Sequence, residues 1–136
     1  MKLIYTHIYF NMKKLLLLIF SLMLSFNSYG EWKKFSSNST GDYYVDLKNV
    51  REHDGYVYYW SMINYVEPYK GFMSIQVYLQ GDCGIFRNRP IEGTSYIKPM
   101  GEGESESYPP PPKKWNNPRP ESIDFIELDL VCDNID

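Results

Sequence analysis

The chain has 136 residues, 43% of them hydrophobic and 17% aromatic, and its 14 basic against 17 acidic side chains give a net charge of −3. Setting aside residues 1–30 removes Lys2, Lys13 and Lys14 and no acid, so the remainder carries −6. That balance argues against a nucleic-acid surface, which depends on clustered Lys and Arg displacing counterions from phosphates, and against simple attraction to anionic lipid.

Residues 1–30 read as a secretory signal peptide. Met12-Lys13-Lys14 supplies the charged start, Leu15 to Phe26 is apolar apart from Ser21 and Ser25, and Ser28 and Gly30 occupy the −3 and −1 places of a small-x-small cleavage site. Glu31 is then the mature N-terminus, and Met12 alone would open a conventional leader. The apolar run falls short of the roughly 20 residues of a membrane span, so no stable membrane insertion is expected after cleavage. No cysteine lies near the leader's end to accept a lipid. The expectation is an exported protein, periplasmic or extracellular at the cell surface. Residues 31–136 are expected to form a single domain, with a modest core that benefits from a covalent staple.

Alternating bulky and polar residues predict strands along most of that domain. Trp32 to Phe35 and Tyr43 to Asp46 read as the first two, and Asp54-Gly55 is a tight-turn signal that launches a third from Val57 to Tyr65. Glu67 to Gly71 reads as a break that returns the chain into Ser74 to Cys83. This fourth strand has the cleanest alternation. Ile75, Val77, Leu79, Gly81 and Cys83 fall on a core face, and Ser74, Gln76, Tyr78, Gln80 and Asp82 on a wet one. Ile85 to Arg89 and Ser95 to Lys98 complete about six strands of an antiparallel, meander-like sheet.

The third strand carries bulky residues on both sides. It is read as a central strand with a helix or loop on one side and a second sheet layer on the other. The sharper alternative makes Tyr58, Trp60 and Met62 a binding or dimer face, because such residues are enriched at interface hot spots.

From Gly101 to Pro120 the composition turns to Gly, Glu, Ser and Pro, which predicts a long exposed excursion rather than packed sheet. Pro109 to Pro112 should adopt polyproline II, a rigid strap returning the tail to the sheet with Trp115 as its anchor. Glu102, Glu104 and Glu106 fit a solvated strip rather than a calcium site. The segment from Glu121 to Cys132 is ambiguous. Ile123, Ile126, Leu130 and Val131 fit a helical stripe, whereas Ile126, Leu128, Leu130 and Cys132 fit a strand face; early acids and an upstream proline favour helix slightly.

Two cysteines in an exported chain, Cys83 and Cys132, read as one disulfide. It closes a loop of 49 residues, for which loop-closure entropy gives about 4 kcal/mol. A metal pair or a nucleophilic thiol would need helpers, and with His7 in the leader only His53 remains, on a turn. No metal, cofactor or catalytic residues are predicted. Carboxylates near strand ends, such as Asp42, Asp46, Glu67 and Asp82, are routine and do not by themselves make a hydrolase.

Several short motifs together resemble the surface-adhesin protein E family. They are Trp32, Tyr43-Tyr44-Val45-Asp46, Val57-Tyr58-Tyr59-Trp60 leading to Asn64-Tyr65, the Ser74 strand ending in Asp82-Cys83, an Arg-bearing strand, and the closing Cys132. The resemblance implies a small exported bacterial domain of mainly β (α+β) class, its C-terminal helix tied to the sheet by the disulfide, and it allows a homodimer. For the namesake it implies attachment to host matrix and plasma proteins. The absence of a lipid-accepting cysteine in the leader and the Tyr108 to Pro120 excursion are departures, so no ligand-contact residue carries over. The reading is an exported, non-enzymatic protein-binding domain, with a host or envelope protein as partner; the alternative is a periplasmic small-ligand-binding or inhibitor module with a pocket near Tyr59 and Tyr65.

Overall fold

The alternation that starts at Trp32 is realised as one antiparallel sheet. The computed structural model describes residues 2–24, 31–108 and 114–135, in two compact units, Met1–Gly30 and Glu31–Asp136. The first unit contains helix α1, Lys2–Leu24. No helix among the described residues is long and apolar enough to cross a membrane. The expected cleavage residues Ser28 and Gly30, and the Pro109 to Pro112 polyproline run, lie outside the described residues.

In the second unit the strands are β1 (Trp32–Ser37), β2 (Gly41–Asp46), β3 (Arg51–His53), β4 (Tyr56–Tyr69), β5 (Phe72–Asp82), β6 (Arg87–Lys98) and β7 (Glu102–Tyr108). They form a seven-stranded sheet in the order β1-β2-β4-β5-β6-β7, with β3 also on β4. Two hairpins turn where the backbone is left-handed twice in succession, at Asp54-Gly55 and Lys70-Gly71, the geometry that suits the right-handed twist of paired strands.

Three predicted boundaries are corrected. Glu67 and Pro68 do not break the pattern, since β4 runs on to Tyr69 and turns only at Lys70. Ile85 belongs to the turn after β5, and Ile85–Arg89 and Ser95–Lys98 are not two strands but parts of one, β6. Pro90 is tolerated there because it sits at a register shift against Tyr78 and Leu79. The third correction is β7. The Gly/Glu/Ser segment pairs with β6 from Tyr108 opposite Gly93 to Glu102 opposite Lys98. All seven of its residues are exposed, and an edge strand held by backbone hydrogen bonds needs no apolar face.

The last segment is helix α2, Ile123–Asp133. Ser122 caps it by accepting a hydrogen bond from the Phe125 amide at 3.2 Å, and Asp124 sits in the first turn. Its inward side matches the predicted stripe only in part: Val131 is fully buried as that stripe requires, but Leu128 outside it is buried too and Ile126 within it is exposed. The bond between Cys132 and Cys83, Cα atoms 5.7 Å apart, fixes the rotation, because Leu128 and Val131 share the side of Cys132. The helix packs on Val45, Val57 and Tyr59 to make the core. Gly81 permits the close approach, since a Cβ there would lie 2.8 Å from Val57 Cγ2 and 2.9 Å from Leu128 Cδ1.

An 11-residue helix is about 16 Å long and covers only one end of its face. Leu79 and Gly81 lie under it, while Ile75 and Val77 are half-buried. The supposed wet side of β5 is therefore not uniformly wet. Ser74 and Gln80 are buried there, Ser74 under a 3-10 turn, Pro99–Gly101, whose Gly101 amide donates to its hydroxyl at 2.9 Å. No second sheet lies over that side among the described residues.

Candidate interaction face

The side of the sheet away from α2 gathers the even-numbered residues of β4 and β5. Register places Tyr58 opposite Gln80, Trp60 opposite Tyr78 and Met62 opposite Gln76. The aromatic rings stack across the strands, with centroids 4.8 Å apart for Trp60 and Tyr78 and 6.2 Å for Tyr58 and Tyr78. Tyr58, Trp60 and Tyr78 are each half-buried. Met62 is fully buried, with Gln76 Nε2 at 3.8 Å from its sulfur. Of the three candidate face residues, Tyr58 and Trp60 reach the surface and Met62 lies beneath it.

A polar chain borders the rings. Gln80 Nε2 donates to the Tyr58 hydroxyl at 3.0 Å, and Arg89 Nε donates to Gln80 Oε1 at 2.7 Å. The guanidinium groups of Arg87 and Arg89 lie over the Trp115 ring, 4.2 and 4.3 Å from its centroid. Trp115 also stacks on Tyr56 at 5.7 Å, so the returning tail is anchored at this end. Arg87 Nε bonds Asp82 at 3.2 Å. Backbone hydrogen bonding from Ile85, followed by the bond from Arg87, holds the Asp82 carboxyl below its ordinary range. Sequence reasoning missed Tyr78 and the two arginines as members of this face. Their signal was the cross-strand register, which alternation within one strand does not contain.

Beneath α2 lies a different polar group. The Tyr59 hydroxyl accepts from Asn88 Nδ2 at 3.2 Å, and Asn88 pairs through its backbone with Asn116. Burial, and then the charge of Glu127, push the Tyr59 hydroxyl up. Glu127 is buried with Oε1 lacking a hydrogen-bond partner among the described residues. Its carboxyl is pushed up to about 8, chiefly by burial and further by Asp124, against a hydrogen bond with Ser61 that favours the charged form.

Several groups suited to chemistry are held in structural contacts. Both cysteines are in the disulfide. His53 stands exposed on its hairpin, 3.2 Å from Asp54. Asp46 holds Asn49, and Asp42 bonds Ser37 at 2.7 Å and Lys34 at 3.1 Å, which keeps its carboxyl low. No three metal-ligating side chains converge among the described residues.

The fold and face define a class: a single antiparallel sheet with a disulfide-tethered C-terminal helix on one side and an aromatic surface on the other. Residues 32–133 match the family described as surface-adhesin protein E, and the chain belongs to that family. No curated protein matches it. Among solved structures it is similar to crystal form II of Haemophilus influenzae protein E, with 17% identity, 76% of this chain and 87% of that one covered, and a TM-score of 0.61. It is also similar to protein E from non-typeable Haemophilus influenzae, with 15% identity, 79% of each chain covered and a TM-score of 0.59. At such identity the likeness carries the fold.

Proposed function

We propose that this chain is an exported, non-enzymatic protein-binding domain of adhesin type, acting at the cell surface or in the periplasm, and that its partner docks on the face centred on Trp60. The observation that carries this reading is the Trp60–Tyr78 stack, half-exposed on a side of the sheet that α2 does not cover. Tyr and Trp supply large contact area at small entropic cost and dominate interface hot spots. The occupant is a host or envelope protein. Self-association through the same face is the form of this reading that the family resemblance raises.

The small-ligand alternative draws less support. Tyr59 is fully buried in the core with Val57 and Leu128 and offers no cavity wall. Tyr65 lines an open cleft of about 390 Å³ with Thr40, Pro68 and Tyr69.

The reading is tested with the oxidised Glu31–Asp136 unit on immobilised extracellular-matrix and plasma proteins. Trp60→Ala and Tyr78→Ala are each expected to lose about tenfold or more in affinity, with circular dichroism unchanged. Light scattering on the same samples shows whether a dimer dissociates with them. Wild-type-like binding by both variants would sink the assignment of the face, and failure of the wild-type unit to bind any of these proteins would remove the host partner.

A further inference from the structure

The sheet is open, and its outer strands are β1 and β7. Among the described residues β1 pairs only with β2 and β7 only with β6, so each presents a row of unpaired backbone N–H and C=O groups. The two edges have nearly equal length, six and seven residues. Their charges are opposite: β1 carries Lys33 and Lys34 and no acid, and β7 carries Glu102, Glu104 and Glu106 and no base. Lys34 is held by Asp42 at 3.1 Å. Lys33, Glu104 and Glu106 are exposed, and none of them has an ion-pair partner among the described residues.

Direction and facing also agree. Every neighbouring pair along β1-β2-β4-β5-β6-β7 is antiparallel, and the path has an even number of strands, so β1 and β7 run in opposite directions. A second copy set alongside in the same orientation therefore brings β7 against β1 as an antiparallel pair, and the alternation continues across the boundary. That orientation keeps both α2 helices on one side. Lys33 lies opposite Val45, a core residue under α2. Glu106 lies opposite Ser95, which is opposite Ile75 on the same side, and Glu104 is two residues further along. Lys33 of one copy and Glu104 and Glu106 of the next thus project to the same side of the joint. A two-fold arrangement would instead set glutamates against glutamates or lysines against lysines, which is unfavourable across a strand pair.

Charges on edge strands ordinarily prevent sheet extension. Here they prevent like edges from meeting and leave unlike edges compatible. We propose that the chain associates with further copies of itself head to tail, β7 of one copy pairing with β1 of the next, in a heterologous contact that repeats rather than closing at two. The joint leaves the Trp60 face free, so it stands or falls separately from the docking function.

The test is sedimentation and light scattering of the oxidised Glu31–Asp136 unit from micromolar to millimolar concentration, at low and raised salt. The expected result is an average mass that climbs past twice the monomer with concentration and falls when salt screens the charges. Lys33→Glu and the double variant Glu104→Lys/Glu106→Lys, all at exposed side chains, are each expected to lower the mass toward monomer with unchanged circular dichroism. An equimolar mixture of the two variants is expected to recover association, since their edges are again complementary. A wild type that stays monomeric throughout would overturn the proposal. So would a dimer plateau that the edge variants leave unchanged, or capture of a basic extended peptide by β7 without self-association.

Discussion

The two sides of the sheet are held by different physics. Under α2 the residues are dry and closely packed: Val45, Val57, Tyr59, Leu128 and Val131 are all buried, and Gly81 is small so that the helix can come close. Across the sheet the aromatic rings are half-exposed, and the buried groups include polar ones, Ser74 and Gln80, each satisfied by a hydrogen bond. The first side holds most of the close-packed apolar contact, while the second presents side chains that solvent, or a partner, can reach. Changes under the helix should therefore register as stability, and changes on the aromatic side as binding.

The largest separation is expected from the disulfide. Replacing Cys83 and Cys132 together by Ser opens a 49-residue loop and should cost about 4 kcal/mol, close to the whole stability of a small domain. Urea denaturation measures it, and hydrogen exchange should show α2 losing protection before β4 and β5. A loss below about 1 kcal/mol would mean that apolar packing of Leu128 and Val131 holds the helix without the tie.

That tie was legible in the sequence, because two cysteines in a chain read as exported have one pairing. The alternation of β4 and β5 was legible too, and with it Tyr58 and Trp60 as neighbours on one side. What escaped was whatever needed another strand to define it. β7 has no apolar residue before Tyr108 and is specified by the backbone of β6. Pro90 imitates a strand break until its partners Tyr78 and Leu79 show a register shift. The inward side of α2 was read only in part: Val131 is buried as its stripe requires, but Ile126 is apolar yet exposed, whereas Glu127 is charged by type yet buried. The Trp60 face was half read for the same reason, since Tyr78 and Arg89 join it only through register.

Glu127 gives the next prediction, and it breaks the simple equation of the helix side with stability. Its folded carboxyl titrates near 8 against an ordinary value of 4.5. Between those values the folded state holds a proton that the unfolded chain has released, so stability falls as pH rises through that window and is undiminished by this group below it. The groups that face the carboxyl are Tyr59 and Ser61 from β4 and Asp124 from its own helix, none of them a cation that would restore the charged form. Glu127→Gln should remove most of this slope and stabilise the domain by on the order of a few kcal/mol at mildly alkaline pH. Thermal midpoints at pH 5 and pH 8.5 for both proteins are the check; a Gln variant as pH-dependent as the wild type would show that the burial penalty is relieved by local opening.

The smallest effect tests the aromatic side by itself. Trp60 and Tyr78 are directly paired across β4 and β5 with centroids 4.8 Å apart, and such pairs couple by about 1 kcal/mol beyond the area they cover. A double-mutant cycle on stability with Trp60→Ala and Tyr78→Ala isolates that term. A coupling of this size, with each single variant costing less than the disulfide does, is expected if the stack is a preorganised surface standing clear of the core. A loss rivalling that of the disulfide would mean that the rings themselves close the sheet, with buried Met62 extending a second core beneath them. The docking experiment on Trp60 would then have to be repeated with substitutions beside the stack, at Arg89, which donates to Gln80, or at Tyr96, whose hydroxyl donates to Gln76 Oε1 at 3.5 Å.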